Sequence, residues 1–342
     1  MRLLMFLITF LLENFVFSLD GGHCSLDGCS GSWEMNNASI FSTRTVLGRK
    51  PHPLYDVHER NDVYFSIKST EKYHESRLHL LALTWFQTVH PHNLHIVTDT
   101  EDTTTELLRD FGYTVHIAGC PKGHTHQPMA CKCGVEFEQF YIAKENGSHY
   151  NWYCHLDDDM YLNVLALFEL LDTLNPLDSH YLGQRSINRR IDIREDFKRK
   201  NNILRDSYYF ATGAIYCIST PLMEQLEYYL RGKEKMMRYS GAAGVPDDML
   251  IGLIIEGILG YNLTEVSTMN SHLFPLKRIS TTDLVKQITI SYGSWNINGK
   301  EIKNIISIED DLFDDNEDPT RFLSYHCLLH PSTRWCHSNE KT

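Results

Sequence analysis

Three consecutive carboxylates, Asp157-Asp158-Asp159, follow directly on the apolar run Trp152-Tyr153-Cys154-His155-Leu156. Adjacent carboxylates repel unless a cation or water relieves them, and oxygen donors of this kind suit Mg²⁺ or Mn²⁺. A strand that runs into D-x-D and a turn lets one carboxylate bind a metal while its neighbour hydrogen-bonds a sugar nucleotide. The competing reading is a solvated acidic turn that caps the next helix. The abrupt passage from apolar strand to charge favours the metal. A second pair, Asp247-Asp248, follows Pro246 at the head of an apolar helix. Carboxylates there gain from the helix macrodipole, which by itself accounts for them. The chemical alternative makes one of them a general base that removes a proton from an acceptor hydroxyl. The residues leave these two readings level, because the dipole lowers a carboxylate pKa whereas a neighbouring carboxylate or a bound phosphate raises it.

Other candidates are weaker. His272, in Asn270-Ser271-His272-Leu273, is a lone histidine, and taken singly it reads as core or surface before it reads as a metal ligand. Arg77, on the polar side of the first helix, would pair with a phosphate or with a nearby acid such as Glu75, and the acid is the simpler partner. Cys131 and Cys133, with His124 and His126 upstream, raise the question of zinc. Their C-x-C spacing departs from the usual C-x₂₋₄-C, so zinc is not favoured. Arg321-Phe322 and the pair Cys327 and Cys336 read as structural.

Elements in alternation must position these groups. The pattern predicts strands at Val63 to Ile67, Leu94 to Thr98, Thr114 to Ile117 and Trp152 to Leu156. Between them it predicts helices at Tyr73 to Gln87, Glu101 to Arg109 and Met129 to Lys144. A further helix, Val164 to Leu174, would bury Leu165, Phe168, Leu171 and Leu174. Such alternation implies βαβ units and a largely parallel sheet, whose ligands bind beyond the carboxyl ends of the strands. The triple aspartate lies at one of those ends. In the second half, Tyr208 to Phe210 and Ala214 to Ser219 read as strands, with Gly213 between them at a tight approach. The helix after Pro246 is apolar on nearly every face (Met249, Ile251, Leu253, Ile254, Ile255, Ile258), so it is buried, and Gly260 stops it. No internal repeat is evident.

A chain of 342 residues can bury a large core as one domain or two packed halves. Lys and Arg number 32 against 44 Asp and Glu, a net charge of −12, with no basic stripe, which argues against a nucleic-acid partner. An acidic protein that holds a diphosphate needs local positive charge, and a divalent metal is one source. Arg2 precedes the apolar run Leu3 to Leu12, which fits the core of a signal peptide better than a full span, although an anchor helix from Leu3 to Leu19 is the alternative. Residues 1–19 are therefore read as signal peptide or signal-anchor, 20–61 as a stem or linker, and 62–337 as the catalytic domain. The nine cysteines (Cys24, Cys29, Cys120, Cys131, Cys133, Cys154, Cys217, Cys327 and Cys336) suit an oxidising compartment, their odd number leaving one thiol over or bridging between chains. Sequons begin at Asn37, Asn146 and Asn262.

Several separated blocks together resemble the Fringe family of glycosyltransferases. They are Trp152 to Asp159, Phe210-Ala211-Thr212-Gly213, Pro246-Asp247-Asp248, Ile254 to Gly260, Ser271-His272-Leu273, and His326-Cys327-Leu328-Leu329-His330-Pro331 closing on Trp335-Cys336. The resemblance spans about Val63 to Cys336. It implies an α/β, glycosyltransferase-A-like fold with a mostly parallel central sheet, Mn²⁺ as cofactor, and inverting β1,3 transfer of N-acetylglucosamine. The donor would be UDP-N-acetylglucosamine, and the acceptor O-fucose on EGF-like repeats of Notch-type proteins. By matching motif positions, Asp159 and His272 would bind the metal, Asp158 and Arg77 the donor, and Asp248 would be the base. The implied bridges are Cys120–Cys131, Cys154–Cys217 and Cys327–Cys336, with Cys24 and Cys29 pairing in the stem and Cys133 over. The implied location is the Golgi membrane, single-pass type II with a luminal catalytic domain, or secretion if the amino-terminal segment is cleaved. The chain departs from the family's double glycine after Phe-Ala-Thr, since Gly213 runs straight into Ala214-Ile215, and it carries Met269-Asn270 where His or Phe-His is usual. Alternatives are a related β1,3-galactosyl- or glucosyltransferase, and a non-catalytic glycan-binding protein on the same fold.

Overall fold

The computed structural model describes residues 60–121, 125–297, 300–308 and 312–337, with the backbone of two short strands, Phe17–Leu19 and Gly22–Cys24. Nearly all of the expected leader or anchor and of the stem, the Asn37 sequon, Cys29 of the expected Cys24–Cys29 pair, and His124 lie outside the described residues. Among the described residues no helix is long and apolar enough to cross a membrane.

Seven strands form the central sheet: β1 (Val63–Lys68), β2 (Leu94–Thr98), β3 (Thr114–Ile117), β4 (Trp152–Asp157), β5 (Tyr181–Arg185), β6 (Ala211–Ser219) and β7 (Thr264–Glu265), in the order β7-β5-β6-β4-β1-β2-β3. The first-half strands β1 to β4 pair parallel, and β6 runs antiparallel between β4 and β5. Helices α1 (His79–Leu83), α2 (Thr103–Asp110), α3 (His126–Glu145), α4 (Val164–Asp172), α5 (Glu195–Asn201), α6 (Thr220–Leu230), α7 (Lys233–Ala243), α8 (Asp247–Gly252) and α9 (Phe322–Leu329) flank it. The mostly parallel, helix-flanked sheet expected from the sequence is present.

Strand alternation divides the core in two. Val63, Phe65, Ile67, Trp152, Cys154 and Leu156 join one cluster with residues of α1, α4 and α9. Tyr64 and Tyr153 point the other way, into a cluster with α3, α6 and α8. Strands covered on both faces read as near-continuous apolar runs, and β1 and β4 do. Two sequence expectations shift. Helix α4 buries Val164, Leu167, Phe168 and Leu171, while Leu165 stands 49% exposed. Its apolar residues fill more than one stripe, so periodicity leaves open which of them faces inward. Gly213 lies inside β6 instead of between two strands, where the register with β5 slips between Ala211 and Tyr216.

Disulfides join Cys120 to Cys131, Cys154 to Cys217 and Cys327 to Cys336, and Cys133 is free and buried. The Cys154–Cys217 bridge connects directly paired residues of β4 and β6 and spans 63 positions. Opening it by Cys154→Ala with Cys217→Ala is expected to cost about 2–5 kcal/mol, read as a lower midpoint in thermal unfolding. With Cys131 in a bridge, zinc on Cys131 and Cys133 is ruled out. Gly252 makes a second testable contact: a Cβ there would meet Phe210 Cβ at 2.4 Å and the Tyr209 carbonyl oxygen at 2.7 Å. Gly252→Ala must push α8 off the Tyr209-Phe210 backbone, at roughly 1–3 kcal/mol, measurable as a fall in unfolding midpoint with the m-value unchanged.

Candidate active site

At the carboxyl end of β4 the three aspartates separate. Lys68 and Asp157 are register partners at the ends of the parallel strands β1 and β4, and their charged atoms lie 3.3 Å apart. Asp157 also lies 3.5 Å from His155 Nε2. Burial alone would raise the Asp157 carboxyl, but the Lys68 ammonium and His155 hold it far below the usual carboxylate range. His155 Nδ1 meets Glu136 of α3 at 2.9 Å, and Ser66 donates to the same carboxylate oxygen at 2.8 Å. Burial and, less strongly, Lys68 disfavour the imidazolium, yet Glu136 and Asp157 together outweigh them and push His155 up to about 9.

Asp158 turns the other way. It accepts hydrogen bonds from Ser69 Oγ and Arg77 Nη1, each at 2.7 Å, and is 4% exposed. Burial raises its carboxyl; Arg77 and Ser69 oppose that rise and Asp159 adds to it. Burial also disfavours the charged guanidinium, which is nevertheless held firmly charged by Asp158, Tyr292 and Asp159. Arg77 stacks 3.7 Å above the Tyr73 ring centroid and reaches Asp159 at 3.4 Å. Its acid partners are thus Asp158 and Asp159, not Glu75. Among the described residues the Asp159 carboxylate keeps this one long contact, and its carbonyl accepts from Ser291 Oγ at 2.9 Å.

His272 sits in a loop pinned from behind. Buried Asn304 donates to the carbonyls of His272 at 2.7 Å and Phe274 at 2.8 Å, and accepts from the Leu276 amide at 3.0 Å. His272 Nδ1 is buried with no hydrogen-bond partner among the described residues. A Cβ on Gly293 would come within 3.3 Å of His272 Cβ. One short stretch, Ser291 to Gly293, therefore touches both the Asp159 turn and His272. Among the described residues no group of three or more His, Cys, Asp and Glu side chains assembles for a metal. If a divalent metal binds here, the Asp159 carboxylate and the His272 imidazole, whose Nδ1 has no hydrogen-bond partner among the described residues, are the side chains that would hold it.

Asp247 and Asp248 open α8, after Pro246, whose side chain makes no cap. Asp247 is 3% exposed and accepts from Lys68 Nζ at 2.9 Å. Asp248 accepts from the Met249 amide at 2.7 Å and faces the slipped segment of β6, where a Gly213 Cβ would lie 3.2 Å from Asp248 Cβ. Burial first, then the charge of Asp247, pushes Asp248 up to about 7. The Met249 amide at the head of the helix pulls it down, as a capping carboxylate requires, but burial and Asp247 outweigh that pull. Lys68, His155 and Glu136 were not among the sequence candidates. The signal available was charge inside apolar elements, Lys68 closing β1 and His155 within β4.

An α/β sheet that ends on an aspartate turn, beside a helix that opens on two carboxylates, places the candidate site at the carboxyl ends of the strands, and by the family and the named relatives that follow the molecule is a glycosyltransferase. A family model described as Fringe-like matches residues 58–333. The chain belongs to this Fringe-like family. It is 37% identical over 286 residues to the β-1,3-N-acetylglucosaminyltransferase lunatic fringe of Danio rerio, covering 83% of this chain and 72% of that one. The manic fringe of the same organism is 34% identical, with 81% and 73% covered, and the radical fringe of Notophthalmus viridescens 33%, with 86% and 70% covered. Among solved structures, mouse xyloside xylosyltransferase 1 in its apo form is 14% identical, covers 66% of this chain and 93% of its own, and has a TM-score of 0.37.

Proposed function

We propose that this protein transfers N-acetylglucosamine from UDP-N-acetylglucosamine, with inversion, to the 3-hydroxyl of O-linked fucose on EGF-like repeats of Notch-type proteins. The relatives named as β-1,3-N-acetylglucosaminyltransferases support the donor and linkage. Asp248 carries the mechanism: a carboxylate poised near 7 beside Gly213 is matched to take a proton from a sugar hydroxyl at neutral pH. Asp158, oriented by Ser69 and Arg77, holds the donor's sugar-nucleotide end, and Arg77 adds a fixed positive charge. Asp159 and His272 would hold Mn²⁺, which when bound neutralises the diphosphate and the charge on departing UDP. Asp248 takes the hydroxyl proton as the fucose oxygen attacks the anomeric carbon from the face opposite UDP. One displacement inverts that centre, and no enzyme nucleophile is required. Three disulfides suit the oxidising secretory pathway, with the Golgi lumen as the site of action.

The test is transfer from a panel of UDP-sugars to a fucosylated EGF-like repeat, with and without Mn²⁺. Transfer from UDP-N-acetylglucosamine alone, abolished by metal chelation, is the expected result. Transfer only from UDP-galactose or UDP-glucose overturns the donor. Binding of UDP-sugar without any product overturns the enzyme reading in favour of glycan binding. The pH profile has a defined sign. The base works only when deprotonated, so kcat/KM should fall about tenfold per pH unit below about 7 and level off above it, in buffers of constant ionic strength.

A further inference from the structure

Beneath the aspartates lies a buried chain of charge that the transfer mechanism leaves unused. Lys68, its side chain 11% exposed, is shared between Asp247 at 2.9 Å and Asp157 at 3.3 Å. It thereby links the end of the strand that leads to the aspartate turn with the first residue of the helix that carries Asp248. Behind it, Asp157 meets His155, and His155 meets the fully buried Glu136. Two carboxylates from distant parts of the sequence share this cation, and among the described residues neither has another close positive charge except His155 on Asp157.

We propose that Lys68 is a positioning residue for catalysis, which fixes α8 against β4 and, by neutralising Asp247, sets the pH at which Asp248 becomes a working base. This rests on Asp248 being the base. The groups that face Asp248 are few: Asp247 on its own helix, Lys68 from β1, Asp157 from β4, Tyr181 from β5 and Tyr208 from the neighbouring short strand Ser207–Tyr208, besides the Met249 amide. Asp247 and Asp157 raise Asp248, and Lys68 and the amide lower it. The tyrosines are pushed well above neutrality, chiefly by burial, so they carry no charge over the working range. Lys68 and Asp247 are thus opposed charges on one base, and removing either must move it in a known direction.

The experiment is the pH dependence of kcat/KM for Lys68→Met, Asp247→Asn and the double variant, each first shown to be folded by circular dichroism and to bind UDP. Lys68→Met should move the acid limb upward by about one pH unit, Asp247→Asn should move it downward by a similar amount, and the double variant should return near the wild type. The double variant also restores neutrality between β1 and α8, so it tests the idea even if Lys68→Met folds poorly. An acid limb that stays put in folded Asp247→Asn, or a folded double variant that keeps the Asp247→Asn shift and does not return, overturns the proposal. Asp248→Asn is the control for the premise. If that variant still transfers sugar, the base assignment has failed; if it does not, an unmoved limb counts against Lys68 alone.

Discussion

Asp248→Asn is expected to lower kcat by about 10²–10⁴-fold while leaving the affinity for UDP nearly unchanged. The amide keeps the shape of the carboxylate, and the contact with the Met249 amide can be kept through Oδ1, so α8 has no reason to move. What is lost is the acceptor of the fucose proton. Without it, the hydroxyl must attack while still protonated or surrender its proton to water. The fall should appear in kcat more than in KM, the signature of an interaction made in the transition state. An alkaline shift cannot rescue the variant, because the introduced carboxamide does not titrate. If Asp248→Asn transfers at more than about a tenth of the wild-type rate, the raised pKa of Asp248 reports only its burial beside Asp247.

The second large effect concerns the metal. Asp159→Ala and His272→Ala should each weaken Mn²⁺ binding in the presence of UDP by more than the about 10–100-fold typical of losing an outer-sphere partner. Calorimetric titration of Mn²⁺ into the UDP-bound protein reads this without any turnover. The two residues lie far apart in sequence and are joined through Ser291 to Gly293, so their losses should be similar if both ligate. Asp157→Asn should behave differently, since Asp157 faces Lys68 and His155, and its loss should cost folding stability before metal affinity. Equal Mn²⁺ affinity in wild type and His272→Ala would leave the buried Nδ1 as a plain packing defect.

How much of this is legible in the sequence depends on range. The parallel half of the sheet is legible because each strand is a short apolar run followed by a helical stripe, and local periodicity suffices for that. The aspartate turn is legible because β4 ends abruptly on charge. The roles within it are not. Asp157, Asp158 and Asp159 look identical in sequence, and only the register of β4 against β1 sends the first to Lys68 while the following turn sends the second to Arg77. The partner of Arg77 escapes for the same reason: Glu75 is near in sequence, whereas Asp158 lies 81 positions away and is brought close by the fold. Leu165 reads as inward because α4 carries more apolar residues than one face can hold. The position of Gly213 within β6 depends on a register slip, which no local propensity encodes. His272 carries no local signal at all. Its unpartnered nitrogen is visible only once Asn304 and Gly293 have packed around its loop.

The most direct test of the central claim is the structure of the product. Wild-type enzyme with UDP-N-acetylglucosamine, Mn²⁺ and a fucosylated EGF-like repeat should yield a disaccharide whose proton NMR shows the new sugar β-linked to fucose O3. That outcome follows from a single displacement with Asp248 as base. An α-linked product would require retention and a different set of groups at the anomeric carbon, and it would contradict the account.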